Sequence, residues 1–266
     1  LVGITLGSIA LIEVSEFYLL AIVGTSMLLL FALVERRVKD PMLDLDLFKN
    51  RLFSAGNVAI FLNALARGAV ALVLIFYLQG PTMGLDPLTA GIFLIPVSAS
   101  LAFFGPISGW LSDKWGARGL STIGLVVSSV GFLLLTEIGL TITFSELLLP
   151  LIRVGAGMGI FASPNRASIM NAVPPHVRGL ASGTSATLIN VGATFSLGIS
   201  FAVMTIDTPI SDLTEIFLGA PGLGSAPWIG DFINSIHSVC LLSTIFLLVA
   251  IIPSLMRGPR TVNRPV

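Results

Sequence analysis

Long uninterrupted apolar runs alternate with short polar intervals along this chain. The runs fall near residues 1–12, 17–34, 53–79, 87–111, 119–138, 146–165, 179–206 and 232–255. Most approach the roughly 20 residues an α-helix needs to cross the hydrocarbon core of a bilayer. The first is shorter, and Leu1 lies inside it, so the expectation is a polypeptide trimmed from something longer. Residues 1–12 lack the basic stretch and cleavage site of a signal peptide. The runs are continuously apolar, whereas strands of a membrane β-barrel alternate in polarity over about ten residues. Helices satisfy their backbone groups internally, as the bilayer interior demands. The predicted fold class is therefore all-α, a polytopic membrane helix bundle.

Composition agrees: 55% of the chain is hydrophobic, 11% is charged, and the mean hydropathy is +0.98. A soluble domain carries about a quarter charged residues to keep its surface hydrated. The zero net charge hides an asymmetry in the placement of the 14 basic residues. Arg36, Arg37, Lys39, Lys49 and Arg51 separate the second and third runs, and Lys114 and Arg118 the fourth and fifth. Arg166 and Arg178 separate the sixth and seventh, and Arg257, Arg260 and Arg264 follow the last. The alternate intervals, near 13–16, 80–86, 139–145 and 207–231, hold no basic residue. Basic loops stay in the cytoplasm. The predicted protein is thus multi-pass in the inner (cytoplasmic) membrane, with a cytoplasmic C-terminus and an external 207–231 interval. The predicted organisation is a helical pair over 1–34 with its first helix truncated, a cytoplasmic loop over 35–52, a six-helix unit over 53–256 and a cytoplasmic tail over 257–266. Six helices is the size of one lobe of a transporter built from repeats.

The most specific motif is Gly109-Trp-Leu-Ser-Asp113-Lys114-Trp-Gly116-Ala-Arg118, read as a short cytoplasmic loop between two helices. Glycines permit a tight reversal, Asp113 can cap or face a helix N-terminus, and Lys114 and Arg118 suit the basic side. The stretch resembles the loop signature of the major facilitator superfamily at its second-lobe position. Further stretches are Gly155-Ala-Gly157-Met-Gly159 running to Ser163-Pro164-Asn165, Arg178-Gly179-Leu-Ala-Ser-Gly183, Asp40-Pro41-Met-Leu-Asp44 and Tyr77-Leu-Gln79. Together they look like the fourteen-helix drug:proton antiporter branch of that superfamily, the QacA/EmrB type. The resemblance implies an inserted helix pair at 1–34 and core helices 7 to 12 after it. It also implies efflux of drugs or other small molecules by alternating access, coupled to protons and completed by an N-terminal lobe. Gly105/Gly109, Gly155/Gly159 and Gly179/Gly183 have the small-xxx-small spacing that lets helices approach closely. Static packing is the plainer reading of these pairs, and a moving interface the other. Pro96 and Pro106 are expected to kink the 87–111 helix.

Arg67 and Arg153 lie inside apolar runs, where a charge costs about 2.5–3.5 kcal/mol on insertion scales and usually faces protein or water. Under the resemblance they sit on helices lining the central cavity. Asn63 precedes Arg67 by one turn on the same face, and Thr184, Thr187, Asn190 and Thr194 form a polar stripe on another helix. The expected substrate pathway therefore includes Asn63, Arg67, Gln79, Arg153 and Asn190. The competing reading has each arginine bonded to backbone carbonyls, or Arg153 reaching the external interface. Glu137 and Glu146 sit at external ends, so no deep carboxylate offers itself for proton coupling.

Other classes fit less well. His176 and His237 have no ligand-spaced partners, no phosphate loop is present, and Cys240 is the single cysteine. No cofactor, enzymatic activity or nucleic-acid partner is expected. The expected partners are the bilayer, a small-molecule substrate and protons. A membrane scaffold or a nonfunctional truncated copy is the alternative to a transporter.

Overall fold

A computed structural model describes residues 45–68, 70–80, 82–208 and 229–257, with positions 22, 23, 26, 27, 30 and 33. The rest of the pair expected at 1–34, most of the 35–52 interval, the 209–228 stretch and the tail after Arg257 lie outside the described residues. The six positions between 22 and 33 are helical.

Three of the helices, α1, α3 and α5, begin with a polar side chain at the cap. Asn50 starts α1 (Arg51–Arg67), its Oδ1 accepting from Leu52 N at 2.9 Å and Phe53 N at 3.3 Å. Its Nδ2 donates to Ala172 O at 2.9 Å, which pins this end to the end of α5. After α1 comes α2 (Val70–Gln79). Asp86 caps α3 (Pro87–Trp115), accepting from Leu88 N, Thr89 N and the Thr89 hydroxyl. The Thr89 hydroxyl bond, reinforced by the amides, holds the Asp86 carboxyl below its ordinary value. α4 (Ala117–Leu134) runs on into a 3-10 turn, Leu135–Glu137. Glu146 reaches back to Thr143 N at 2.8 Å to start α5 (Phe144–Asn171), as in a capping box. α6 spans Arg178–Asp207 and α7 spans Ile229–Leu255. Among the described residues there is no strand. Five of the helices, α3 to α7, are long and apolar enough to cross a membrane.

Two sequence expectations change. The 53–79 run is described as two helices, α1 ending at Arg67 and α2 beginning at Val70. Gly68, after α1, keeps helical dihedrals (φ −60°, ψ −41°) and donates its N–H to Ala64 O. It sits so close to α6 that a Cβ there would lie 2.7 Å from Ala193 O and 2.8 Å from the Ser196 Cβ. Second, helices continue past the ends of the apolar runs. α3 runs to Trp115 and α5 to Asn171, because backbone hydrogen bonding stops at a cap and not at the first polar side chain. The motif read as a loop is therefore the last two turns of α3, with Gly116 alone making the reversal into α4. Gly116 has φ 90° and ψ 148°, a region essentially reserved for glycine. Gly116→Ala is accordingly expected to lower stability by about 1–3 kcal/mol, measurable as a reduced Tm in detergent.

α5 lies at the centre, with its broadest contacts on α3 and α4. α7 packs on α4, α1 and α6, and α1 on α6. The alternating glycines of α5 make this possible by facing two neighbours. A Cβ at Gly155 would strike the Val97 carbonyl of α3, and one at Gly159 would lie 2.9 Å from Leu101 O and Gly105 N. Gly157 faces Ser128 and Gly124 on α4 instead. Gly109 seats against Ser163, whose Oγ would lie 2.7 Å from an added Cβ. Gly179 and Gly183 are different: both are exposed, and a Cβ at either would meet no described atom within 4 Å. α3 stays continuous through Pro96 and Pro106.

A buried polar layer ties the inner ends together. Ser185 Oγ donates to Asn57 Oδ1 at 2.7 Å, linking α6 to α1, and Asn57 Nδ2 donates to Phe53 O at 3.0 Å. Asn165 Nδ2 donates to Gly56 O at 3.3 Å, linking α5 to α1. Thr122 and Ser254 hydroxyls meet at 3.0 Å between α4 and α7. Arg257, placed by its sequence in the hydrated tail, instead folds into this layer with 2% of its surface exposed. Its guanidinium donates to Asn165 Oδ1 and, at 3.3 Å, to Ser121 Oγ, while Nε finds no acceptor among the described residues. Burial pulls the group down to about 10, so it remains charged at neutral pH.

Candidate functional site

α1, α3, α5 and α6 enclose a cleft of about 480 Å³, lined by Ile60, Leu101, Gly105, Gly159, Ala162, Ser163, Arg166, Ala167 and Ile189. On α5 the lining positions 159, 162, 163, 166 and 167 follow the i, i+3, i+4 spacing of a single helix face. The two glycines bring the α3 and α5 backbones together at the back of the cleft. The walls are apolar except for the Ser163 hydroxyl and the Arg166 guanidinium. Arg166 lies five residues, about 7.5 Å, short of the inner end of α5. Sequence reading assigned it to the loop between helices because the apolar run ends at 165. The recurrence of small residues at 159, 162, 163 and 167 beside it was the available signal.

None of the expected pathway residues, Asn63, Arg67, Gln79, Arg153 and Asn190, is among the residues that line this cleft. Ile60, Asn63 and Arg67 recur at i, i+3 and i+7, so Arg67 shares the face of α1 that contributes Ile60 to the lining. It lies about 10 Å further outward. Arg67 is exposed and is the last residue of α1; Asn63 is buried. Arg153 is half-buried and does not line the cleft. Measured along the full helices, Arg67 stands about 24 Å and Arg153 about 27 Å from their inner ends, at similar depth but further out than the hydropathy boundaries implied. Among the described residues neither guanidinium is hydrogen-bonded or ion-paired. Asn190 is exposed on α6 beside exposed Thr187, and its carbonyl accepts from Thr194 Oγ1 at 2.9 Å. Thr184 departs from that stripe: it is buried and donates to Leu180 O at 3.0 Å. Gln79 is exposed at the end of α2.

The inner-end motif presents a cationic and aromatic surface. Lys114 Nζ sits 3.9 Å above the Trp110 ring, and Trp115, Asp113 and Arg118 are exposed beside it. No side chain caps α4 or α6, so Asp113 does not serve as the N-cap of either. On the outer side, Tyr77 OH donates to Gly139 O at 2.8 Å and His237 Nε2 meets Ile138 O at 2.7 Å, which ties α2 and α7 to the turn after α4.

The sequence profile of the Major Facilitator Superfamily matches residues 1–197. The riboflavin transporter RibZ of Clostridioides difficile is 33% identical over 187 residues, covering 68% of this chain and 39% of that protein. Multidrug resistance protein 3 of Bacillus subtilis is 28% identical over 203 residues, 76% of this chain and 40% of that protein. The multidrug resistance protein Stp of Mycobacterium tuberculosis is 31% identical over 181 residues, 66% and 32% of the two. The chain thus spans about a third to two fifths of the length of these curated relatives.

Proposed function

The chain belongs to the Major Facilitator Superfamily and is a multi-pass membrane protein, and from that premise we propose that it forms the substrate-facing half of a secondary active exporter. The observation that carries this reading is Arg67, a guanidinium about 24 Å along an apolar span with no partner among the described residues. A charge inside a membrane span is costly and usually faces a partner or a watery cavity, so it marks a transport pathway. A static scaffold gains nothing from it.

In this reading the basic inner ends of the helices lie in the cytoplasm, and the lightly buried faces of α3 and α6 turn toward lipid and a second lobe. Arg67, Asn63 and Asn190 border the pathway, with Arg153 and Gln79 further out. Relatives whose names specify riboflavin or drug resistance support small organic molecules as cargo. Proton coupling would draw on a carboxylate outside the helices described, since the carboxylates of α1 to α6 lie at helix ends.

Arg67→Ala in the full protein is expected to reduce transport by about tenfold or more at unchanged membrane abundance, the scale of one lost charge-assisted hydrogen bond. Efflux rate divided by immunoblotted protein in washed membranes gives the measurement. Normal transport at normal abundance would remove Arg67 from the pathway.

A further inference from the structure

We propose that the cleft between α1, α3, α5 and α6 binds amphipathic organic anions, with Arg166 holding the anionic group and the apolar walls holding the body. The proposal deepens the exporter reading and rests on it for its place in a transport cycle. The binding itself stands on the following observations.

Size comes first. About 480 Å³ falls within the range of about 300–1,000 Å³ typical of small-molecule sites. The lining is also of the usual kind, predominantly apolar with a few polar groups set to orient a ligand. Ile60, Leu101 and Ile189 come from three different helices, so a flat or branched hydrocarbon body would be gripped from several sides. Ser163 and Arg166 are one turn apart on the same face of α5, which lets a carboxylate or sulfonate accept from both.

Charge decides the sign of the ligand. Arg166 is exposed in the cleft and, among the described residues, has no ion-pair or hydrogen-bond partner. The four walls carry carboxylates only at their ends: Asp113 at the inner end of α3, and Glu146 and Asp207 at the outer ends of α5 and α6. Gly105 packs on Gly159 and Gly109 on Ser163, so Asp113 stands level with Ala167 at the inner mouth of the cleft, engaged in an interaction of its own and not ion-paired to Arg166. Within the lining itself a cation would meet Arg166, with Arg67 further out on the same side, and no carboxylate. An anion would meet an arginine fork suited to carboxylate recognition, in surroundings where a charge-assisted bond is stronger than in water. The plainer role, an arginine whose stem lies along apolar surface while its head reaches the inner headgroups, predicts no preference for anions inside the cleft.

The test uses two probes of the same shape, 1-pyrenecarboxylate and 1-pyrenecarboxamide. Their equilibrium binding is measured on the purified full protein in nanodiscs, with empty nanodiscs subtracted. The carboxylate is expected to bind about tenfold tighter than the amide. Arg166→Gln is expected to abolish that ratio by weakening the carboxylate alone, and Arg166→Lys to keep part of it. Unchanged amide binding shows that the altered cleft is still formed. Equal binding of the two probes to the unaltered protein would overturn the proposal, as would a ratio that survives Arg166→Gln. The first of these is the result expected if a carboxylate elsewhere in the full protein already neutralises Arg166. The exporter reading is tested separately by energy-dependent efflux from cells, so loss of efflux with an intact probe ratio would overturn that reading and leave this one standing.

Discussion

Valine in place of Gly155 is expected to destabilise the bundle by about 3 kcal/mol or more, at or above the upper end of ordinary overpacking, and to leave little folded protein in the membrane. The Cβ would press on the Val97 carbonyl, and backbone cannot step aside as a flexible side chain can. Relief requires α3 and α5 to separate, which forfeits the dispersion contacts along one of the two broadest interfaces of the bundle. Better intrinsic helix propensity returns only a few tenths to about 1 kcal/mol for losing a glycine, too little to offset the clash. Gly179→Val is the informative contrast. A side chain there meets open space, so its effect should stay within about 0.5 kcal/mol of neutral. Fluorescence-detected size exclusion and Tm in detergent measure both. Equal behaviour of the two variants would show that the α3–α5 approach is looser than the glycines imply.

Asn165→Leu should be the most damaging change in the inner polar layer, costing about 3 kcal/mol or more because it strands a buried charge. Among the described residues Arg257 is already without an acceptor for Nε, and Asn165 supplies one of its two partners. Losing that oxygen leaves the guanidinium with Ser121 alone, while Gly56 O also loses its donor. Arg257→Met should cost less, since it removes the charge together with its desolvation penalty and fills similar volume. The double variant should therefore be more stable than Asn165→Leu alone. Thermal unfolding of the four proteins closes the cycle. If Asn165→Leu is no worse than Arg257→Met, the charge has found another acceptor.

Several parts of this structure were readable from residue order. The spans at 87–111, 119–138, 146–165, 179–206 and 232–255 each became one helix, because an apolar run of that length has few other ways to satisfy its backbone. Gly116 was recognisable as a reversal from its place between two runs, and Gly155 and Gly159 as a packing pair from their spacing. The close approach of Gly68 to α6 was not readable, since its neighbour Ala193 comes 125 residues later in the chain. The inner ends of α3 and α5 were misjudged by four and six residues for a different reason. Hydropathy marks where lipid ends, whereas a helix ends where its hydrogen bonds find a cap.

The same distinction separates what each level determined. Sequence alone determined that the chain is helical, crosses the membrane several times and keeps its basic residues on alternate intervals, all consequences of local transfer energies. Tertiary structure decided which polar residues meet. It placed Arg166 in a cleft and not a loop, drew Arg257 out of the tail into a buried layer, and left Arg67 exposed at the end of α1. Those outcomes depend on which helix faces come together. Packing between distant segments fixes that, and no single segment carries the information.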